Sequence, residues 1–191
     1  SANTVIGWEA MFGTASTSSN STAVGWHALF SNRGNNNTAI GYNALQGNTT
    51  AIGNTAVGSE SLNNNATGAN NTAVGRFAGF GATASNGTFV GYNAGGFTTG
   101  NNNTAIGFAS LFSNKGGGNT AIGASTLYTN DTGGSNTTMG QESMFSNTSG
   151  SFNMAYGTFA LRSNTTGDAN AALGFEALKA NINGNRNVAL G

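Results

Sequence analysis

The apolar residues of this 191-residue chain recur at a nearly constant spacing along the whole sequence. The repeating unit reads Asn-Thr-Ala-Ile/Val-Gly-x-x-Ala-Leu-Phe and is followed by a stretch rich in Ser, Asn and Gly. Its glycines, 16 to 18 residues apart, are Gly7, Gly25, Gly41, Gly58, Gly75, Gly91, Gly107, Gly123, Gly140, Gly157, Gly174 and Gly191. The copies cover residues 1–191, so the sequence predicts a single repetitive segment without a separate domain.

The residue types at each position of the repeat indicate its surroundings; positions are numbered from the glycine, with −1 directly before it. Position −1 is apolar in every copy, and position +4 is Leu or Met except at Gly79 and Gly95, so we expect both columns to fill a thin continuous core. Position +3 is always small, which indicates a close approach of two backbones. Position −4 is Asn except at Ser21 and Gly87, and these amides are expected to form a hydrogen-bonded ladder.

The period near 17, the β-branched residues and the absence of helical spacing predict an all-β fold. We expect a parallel β-solenoid with one two-stranded coil per repeat and about twelve rungs, in a rod about 55 Å long. Asn-Thr-Ala-Ile/Val is the first strand, x-x-Ala-Leu-Phe the second, and the Ser/Asn/Gly stretch the return turn, which absorbs the variation in length. Two overlapping motifs compete near residue 55, and we place the rung on Gly58 and assign the earlier Thr50-Ala51-Ile52-Gly53 to a loop.

Composition and charge exclude several classes of function. Charged residues make up only 6% of the chain, and the formal net charge is zero, so no basic surface is available to bind nucleic acid. The apolar runs are a few residues long, so membrane insertion is not expected either. The chain lacks cysteine, which excludes disulfides and thiolate metal ligands.

The residues that catalysis and metal binding require are sparse. His27 is the only histidine, so a two-histidine metal site or a histidine relay within one chain is excluded. The four glutamates, Glu9, Glu60, Glu142 and Glu176, all lie at position +2, where a solvated column is favoured over a catalytic carboxylate pair. Glu9 and His27 lie on neighbouring rungs and are expected to pair. We therefore expect no enzyme activity, no cofactor and no metal.

Aromatic residues cluster at positions +1 and +5. They are interpreted first as packing at chain contacts or over the coil edge. The alternative is a surface on which sugars stack, and its best candidates are Trp8, Trp26 and Tyr42 at position +1 of the first three rungs.

A single coil buries little apolar area for the roughly 17 residues that it orders, since two large aliphatic side chains contribute only a few kcal/mol. Contact with neighbouring chains would supply the missing burial. We therefore expect a homo-oligomer, with a homotrimer as the usual arrangement for a fibre of this kind.

The motif itself resembles repeats of known fibres. Asn37-Thr38-Ala39-Ile40-Gly41 is similar to the repeats of trimeric autotransporter adhesin heads, and its continuation Tyr42-Asn43-Ala44-Leu45 resembles repeats of bacteriophage tail fibres. The resemblance covers the whole chain. It implies a trimeric β-roll, an extracellular location on a virion or a bacterial surface, and a structural or adhesive role that includes contact with a glycan or another receptor. Because the chain begins without Met and ends within a repeat, we expect a segment of a longer fibre protein.

Two other functions fit a repetitive polar solenoid. A self-assembling extracellular filament, similar in logic to functional amyloid, would use the polar ladder for growth, although the chain has only Gln46 and Gln141 where such repeats are rich in Gln. An ice-binding solenoid would use the Thr column at position −3, which is interrupted at Met154, Ala171 and Val188 and has no second Thr column beside it.

Overall fold

The computed structural model describes residues 2–13 and 18–191. Across these residues the chain has fifteen short strands and no helix. They are β1 Thr4–Ile6, β2 Thr22–Val24, β3 Thr38–Ile40, β4 Thr55–Val57, β5 Thr72–Val74, β6 Thr88–Val90, β7 Phe97–Thr98, β8 Thr104–Ile106, β9 Ser113–Asn114, β10 Thr120–Ile122, β11 Thr129–Asn130, β12 Thr137–Met139, β13 Met154–Tyr156, β14 Ala171–Leu173 and β15 Val188–Leu190.

Twelve of the strands form one parallel sheet in chain order, and each pairs with the equivalent strand of the next repeat. The register joins identical positions, as in Thr38 with Thr55 and Ile40 with Val57. The predicted β-solenoid is therefore confirmed, with eleven successive strand pairings in the main sheet. The placement of the rung on Gly58 is also confirmed, because Thr55–Val57 pairs in the sheet and residues 50–53 do not.

The second strand of the coil lies later than the x-x-Ala-Leu-Phe segment. It forms in three coils, where β7, β9 and β11 make a small parallel sheet at positions +6 and +7. Residues at positions +2 and +4 have left-handed backbone, for example Asn43 with φ 53° and Leu45 with φ 50°. Because left-handed residues alternate with ordinary ones there, this segment makes tight turns and cannot extend as a strand.

The interior of each coil is narrow and is filled by three columns of side chains. Ala at position −2, a small residue at position +3 and Leu or Met at position +4 are buried, as at Ala39, Ala44 and Leu45, each with no exposed surface. The predicted burial of the +4 column is confirmed, and the small residues at +3, for which a close approach of two backbones was expected, are buried as well. The predicted burial of the −1 column is wrong: Ile6 is 62% exposed and Leu173 is 53% exposed. In a strand of three residues only the central one points inward, and here that residue is Ala.

The predicted asparagine ladder is present at position −4. The side-chain oxygen of each Asn accepts from the backbone N–H of its counterpart one coil further on, as Asn54 Oδ1 does from Asn71 N at 2.8 Å. In the later coils the amides also bond to each other, as Asn153 Nδ2 does to Asn136 Oδ1 at 3.2 Å. The buried amides are therefore hydrogen-bonded from coil to coil, and they join neighbouring coils in an interior that offers little apolar contact.

A second asparagine ladder, at position +7, is one that sequence reasoning missed. Asn147 Nδ2 donates to Asn130 Oδ1 at 2.7 Å, and Asn164 Nδ2 donates to Asn147 Oδ1 at 3.0 Å. The same Asn147 amide also donates to Gly150 O at 2.9 Å and so closes its own turn. Asn recurs at position +7 in most coils, and this recurrence was the available signal.

Replacing Asn147 with alanine should lower the free energy of unfolding by about 2 kcal/mol, because buried donors and acceptors on the two neighbouring coils lose their partner. Urea unfolding followed by circular dichroism measures this change. Replacement of the exposed Thr148 by alanine is the control and should cost less than half as much. Equal losses for the two variants would contradict a structural role for the second ladder.

One coil departs from this interior. Phe89 takes the −2 position that Ala holds in most coils, and it is fully buried. Glycine stands at three positions around its ring, and a Cβ added at Gly95 would lie only 2.1 Å from Phe89 Cδ1. A Cβ at Gly87 would lie 2.5 Å from Phe89 Cζ, and one at Gly79 would lie 3.0 Å from Phe89 Cδ2. Three of the four exceptions in the Leu and Asn columns, all of them glycines, therefore leave the space that the Phe89 ring fills.

Candidate functional site

The outward face of the main sheet exposes a row of apolar side chains, among them Ile6, Ile40, Ile106 and Leu173. Positions −3 and −1 point away from the interior because they flank the buried −2 residue. Position −3 is Thr in nine coils, and position −1 is Ile, Val, Leu, Met or Tyr throughout. We call these two columns, with position +1 beside them, the outward face; position +1 is aromatic in six coils and is Arg76 in a seventh.

Trp26 and Tyr42 of the outward face stack on each other, with ring centroids 4.8 Å apart and an angle of 8° between the planes. The ring of His27 stacks on Trp26 as well, at 3.4 Å between centroids. Trp26 and Tyr42, two of the predicted ligand-stacking candidates, therefore stack on each other, so one face of each ring is covered by the other ring. Trp8, the third candidate, is 72% exposed and has no ring contact within the described residues.

A polar network runs beside these rings across four coils. His27 Nε2 lies 2.5 Å from Glu9 Oε2, so the predicted pair of Glu9 and His27 is confirmed. Gln46 Nε2 donates to His27 Nδ1 at 3.3 Å, and Asn63 Nδ2 donates to Gln46 Oε1 at 3.3 Å. Because Nδ1 accepts from the amide, Nε2 carries the proton and donates to Glu9. The network holds the His27 ring against Trp26 and therefore has a structural role.

Two of the other glutamates of position +2 are neutralised locally. Glu142 pairs with Arg162 at 2.7 Å, and Glu176 pairs with Lys179 at 2.6 Å. Within the described ranges no three His, Cys, Asp or Glu residues group as a metal site would require. Each of these glutamates therefore has a basic partner instead of a second carboxylate, which favours the interpretation of position +2 as a surface column.

A longer run of aromatic rings connects positions +1 and +5 of the middle coils. Neighbouring rings have centroids 5.1 to 6.2 Å apart, and Arg162 continues the run 5.5 Å from the last ring. The rings are Phe108, Tyr92, Phe77, Phe80, Phe97, Phe112, Tyr128 and Phe145. Such contacts stabilise neighbouring coils by about 0.5–1.5 kcal/mol per pair. They support the interpretation of the aromatic columns as packing over the coil edge.

Comparison with known proteins gives no match to a protein-family model, a curated protein or a solved structure. In the part of the chain that the structure describes, no helix has the length and hydropathy of a membrane span. Any function must therefore be argued from the surfaces of the rod itself.

Proposed function

We propose that the chain is the rod of an extracellular homotrimeric fibre that holds a virion or a bacterial surface to its target. The observation that carries this proposal is the outward face. None of the twelve Lys, Arg, Asp and Glu residues lies in a strand, so positions −3 and −1 are uncharged in all twelve rungs. Depletion of charge across an exposed apolar surface is typical of the buried centre of a protein interface.

The size of this face suits a stable assembly. Eleven strand spacings of about 4.8 Å give a length of about 53 Å, and three columns give a width of about 13 Å. The product is on the order of 700 Å², which each chain would bury against its two neighbours together, whereas a standard two-chain interface buries roughly 800 Å² per partner.

The spacing of side chains from coil to coil on the outward face indicates which partner can bind it. Its side chains form knobs spaced by about 4.8 Å over twelve rungs, and only a surface with the same spacing can match them along the whole length. A second copy of this chain has that surface. The two flanks differ, since position −3 is Thr in nine coils, whereas position +1 carries an aromatic ring such as Trp26 in six. Two unlike flanks favour a cyclic arrangement in which the flank of one chain meets the other flank of the next.

In a three-fold arrangement of parallel rods, equivalent coils lie at the same height, so the −1 columns of the three chains would line the axis. This packing would bury Ile6, Ile40 and Ile106, which are 62%, 41% and 38% exposed in the single chain. It would also provide the burial that a narrow interior of Ala, Leu and Asn does not.

Replacing Ile106 with lysine should dissociate the oligomer, because it places a charge on the axis of the assembly. Light scattering should then give 19.0 kDa instead of the trimer mass of about 57 kDa, which is three times the chain mass. Thr99→Lys is the matched control: it adds the same charge at position +8, where the chain itself has Arg33 and Lys115, and should remain trimeric. A wild-type chain that is monomeric at micromolar concentration would overturn the proposal.

A further inference from the structure

A cavity at the return turns of the last three coils combines groups that the other coils lack. It has a volume of about 560 Å³ and is lined by Phe152, Asp168, Ala169, Asn185 and Arg186. All five lining residues are exposed, so the cavity is an open depression on the surface of the rod. The cavity lies at positions −6 and −5, outside both the interior and the outward face.

Comparison among the repeats shows which of these residues the fold itself requires. At position −5 the earlier coils carry small residues suited to left-handed backbone, such as Asn86, Asn102 and Gly118. Phe152 and Arg186 adopt the same conformation, with φ 59° and 58°, although large side chains are disfavoured there. The turn does not need their side chains, so their presence at one cavity calls for another reason.

The same comparison applies to Asp168 at position −6. Its Oδ1 accepts from Ser151 N at 2.7 Å, and in earlier coils the amide oxygens of Asn35 and Asn101 accept the equivalent bond at 2.8 Å. Asparagine therefore satisfies the turn equally well. The negative charge of Asp168 is an addition that the fold does not require.

The three side chains are open to a ligand. Phe152 is 70% exposed and, unlike the stacked rings of the aromatic columns, has no ring contact within the described residues. Asp168 and Arg186 are exposed and form no ion pair in the part of the chain that the structure describes. The backbones of Arg186 and Asp168 are joined by a hydrogen bond of 2.9 Å, which holds the two turns in register.

We propose that this cavity binds a neutral saccharide. A free aromatic face stacks on the apolar C–H face of a sugar ring, the carboxylate accepts from hydroxyl groups, and the guanidinium donates to hydroxyl or ring oxygens. One negative and one positive group cancel, which favours a neutral sugar over an acidic one. The site would supply the receptor contact of the proposed fibre and in that sense rests on the proposed function.

Saturation-transfer NMR on the 191-residue chain tests this site, with the methyl glycosides of glucose, galactose, mannose and N-acetylglucosamine as probes and sialyllactose as the charged comparison. We expect transfer to at least one neutral glycoside and weaker transfer to sialyllactose. Phe152→Ala should weaken binding about tenfold or more, and Asp168→Asn about threefold or more while keeping the Ser151 bond. Phe175→Ala, which removes an exposed ring of the outward face, should leave binding unchanged.

Three results would overturn the site: no transfer to any of the four neutral glycosides, unchanged binding by both Phe152→Ala and Asp168→Asn, or tighter binding of sialyllactose than of every neutral glycoside. Asp168→Asn keeps the turn intact, so the test holds even where Phe152→Ala folds poorly. Light scattering of the same samples reports the oligomer separately. Loss of saccharide binding with an intact trimer would count against the site alone, and a monomer that still binds would count against the fibre alone.

Discussion

Replacing Phe89 with alanine is expected to lower the free energy of unfolding by about 3–5 kcal/mol. The ring is fully buried, and the neighbouring Gly79, Gly87 and Gly95 have no side chains that could close around the cavity left behind. Urea unfolding followed by circular dichroism measures the loss. A change below about 1 kcal/mol would show that the ring is not the centre of this coil's packing.

Restoring the consensus residues should recover most of that loss. In the Phe89→Ala background, Gly79→Leu, Gly95→Leu and Gly87→Asn rebuild the side chains that the other coils use, and together they should return stability to near the wild-type value. Gly95→Leu alone, with Phe89 present, should destabilise, because its Cβ would lie 2.1 Å from the ring. The change in the free energy of unfolding should thus have opposite signs in the Phe89→Ala protein and in the wild-type protein. This non-additivity is expected of residues whose side chains would occupy the same space.

Replacing Gly107 with alanine is expected to cost about 2–6 kcal/mol, the sum of backbone strain and overpacking. Gly107 has φ +128°, and a Cβ there would lie 2.6 Å from Gly123 O on the next coil. The stacked strands would have to move apart, and the equivalent glycines would transmit that displacement along the sheet. The same urea titration measures the effect.

Gly118→Asn is the matched control for this prediction. Gly118 lies in the return turn that follows Gly107 and has φ +72°. A Cβ there would contact Ser135 Oγ at an ordinary 3.5 Å. Asparagine occupies the equivalent position at Asn86 and Asn102, so we expect a change of less than about 0.5 kcal/mol. If both glycine variants were tolerated equally, close stacking of the repeat glycines would not be the reason for their recurrence.

The β-solenoid, its register and the position of its main strand could be predicted because the spacing of the twelve glycines admits few other arrangements. The burial of Leu45 and the Asn ladder also followed from single columns, since each column has one residue type and one environment. The side to which Ile40 points could not be predicted in this way. An apolar column fits a core and a chain contact equally well, and only the three-residue length of the strand distinguishes them.

The candidate surfaces could be predicted only in part. Trp26 and Tyr42 were correctly placed on adjacent rungs, but their mutual stacking depends on side-chain geometry. The pairing of Glu9 with His27 followed from the shared +2 position. The cavity at Phe152 and Asp168 was missed, because its members fall at two different positions of three different repeats. The available signal was that Phe152, Asp168 and Arg186 each differ from the residue types usual at their positions of the repeat.

The direction of the hydrogen bonds between coils determines how this rod would respond to force. Each coil is joined to the next by bonds such as Thr38 N to Asn54 O, which lie parallel to the long axis. Tension applied between the ends of an isolated chain would therefore load one coil boundary at a time, so the rod would unzip stepwise at low force. A fibre under the drag of flowing liquid would gain mechanical strength only where parallel strands of several chains share each boundary.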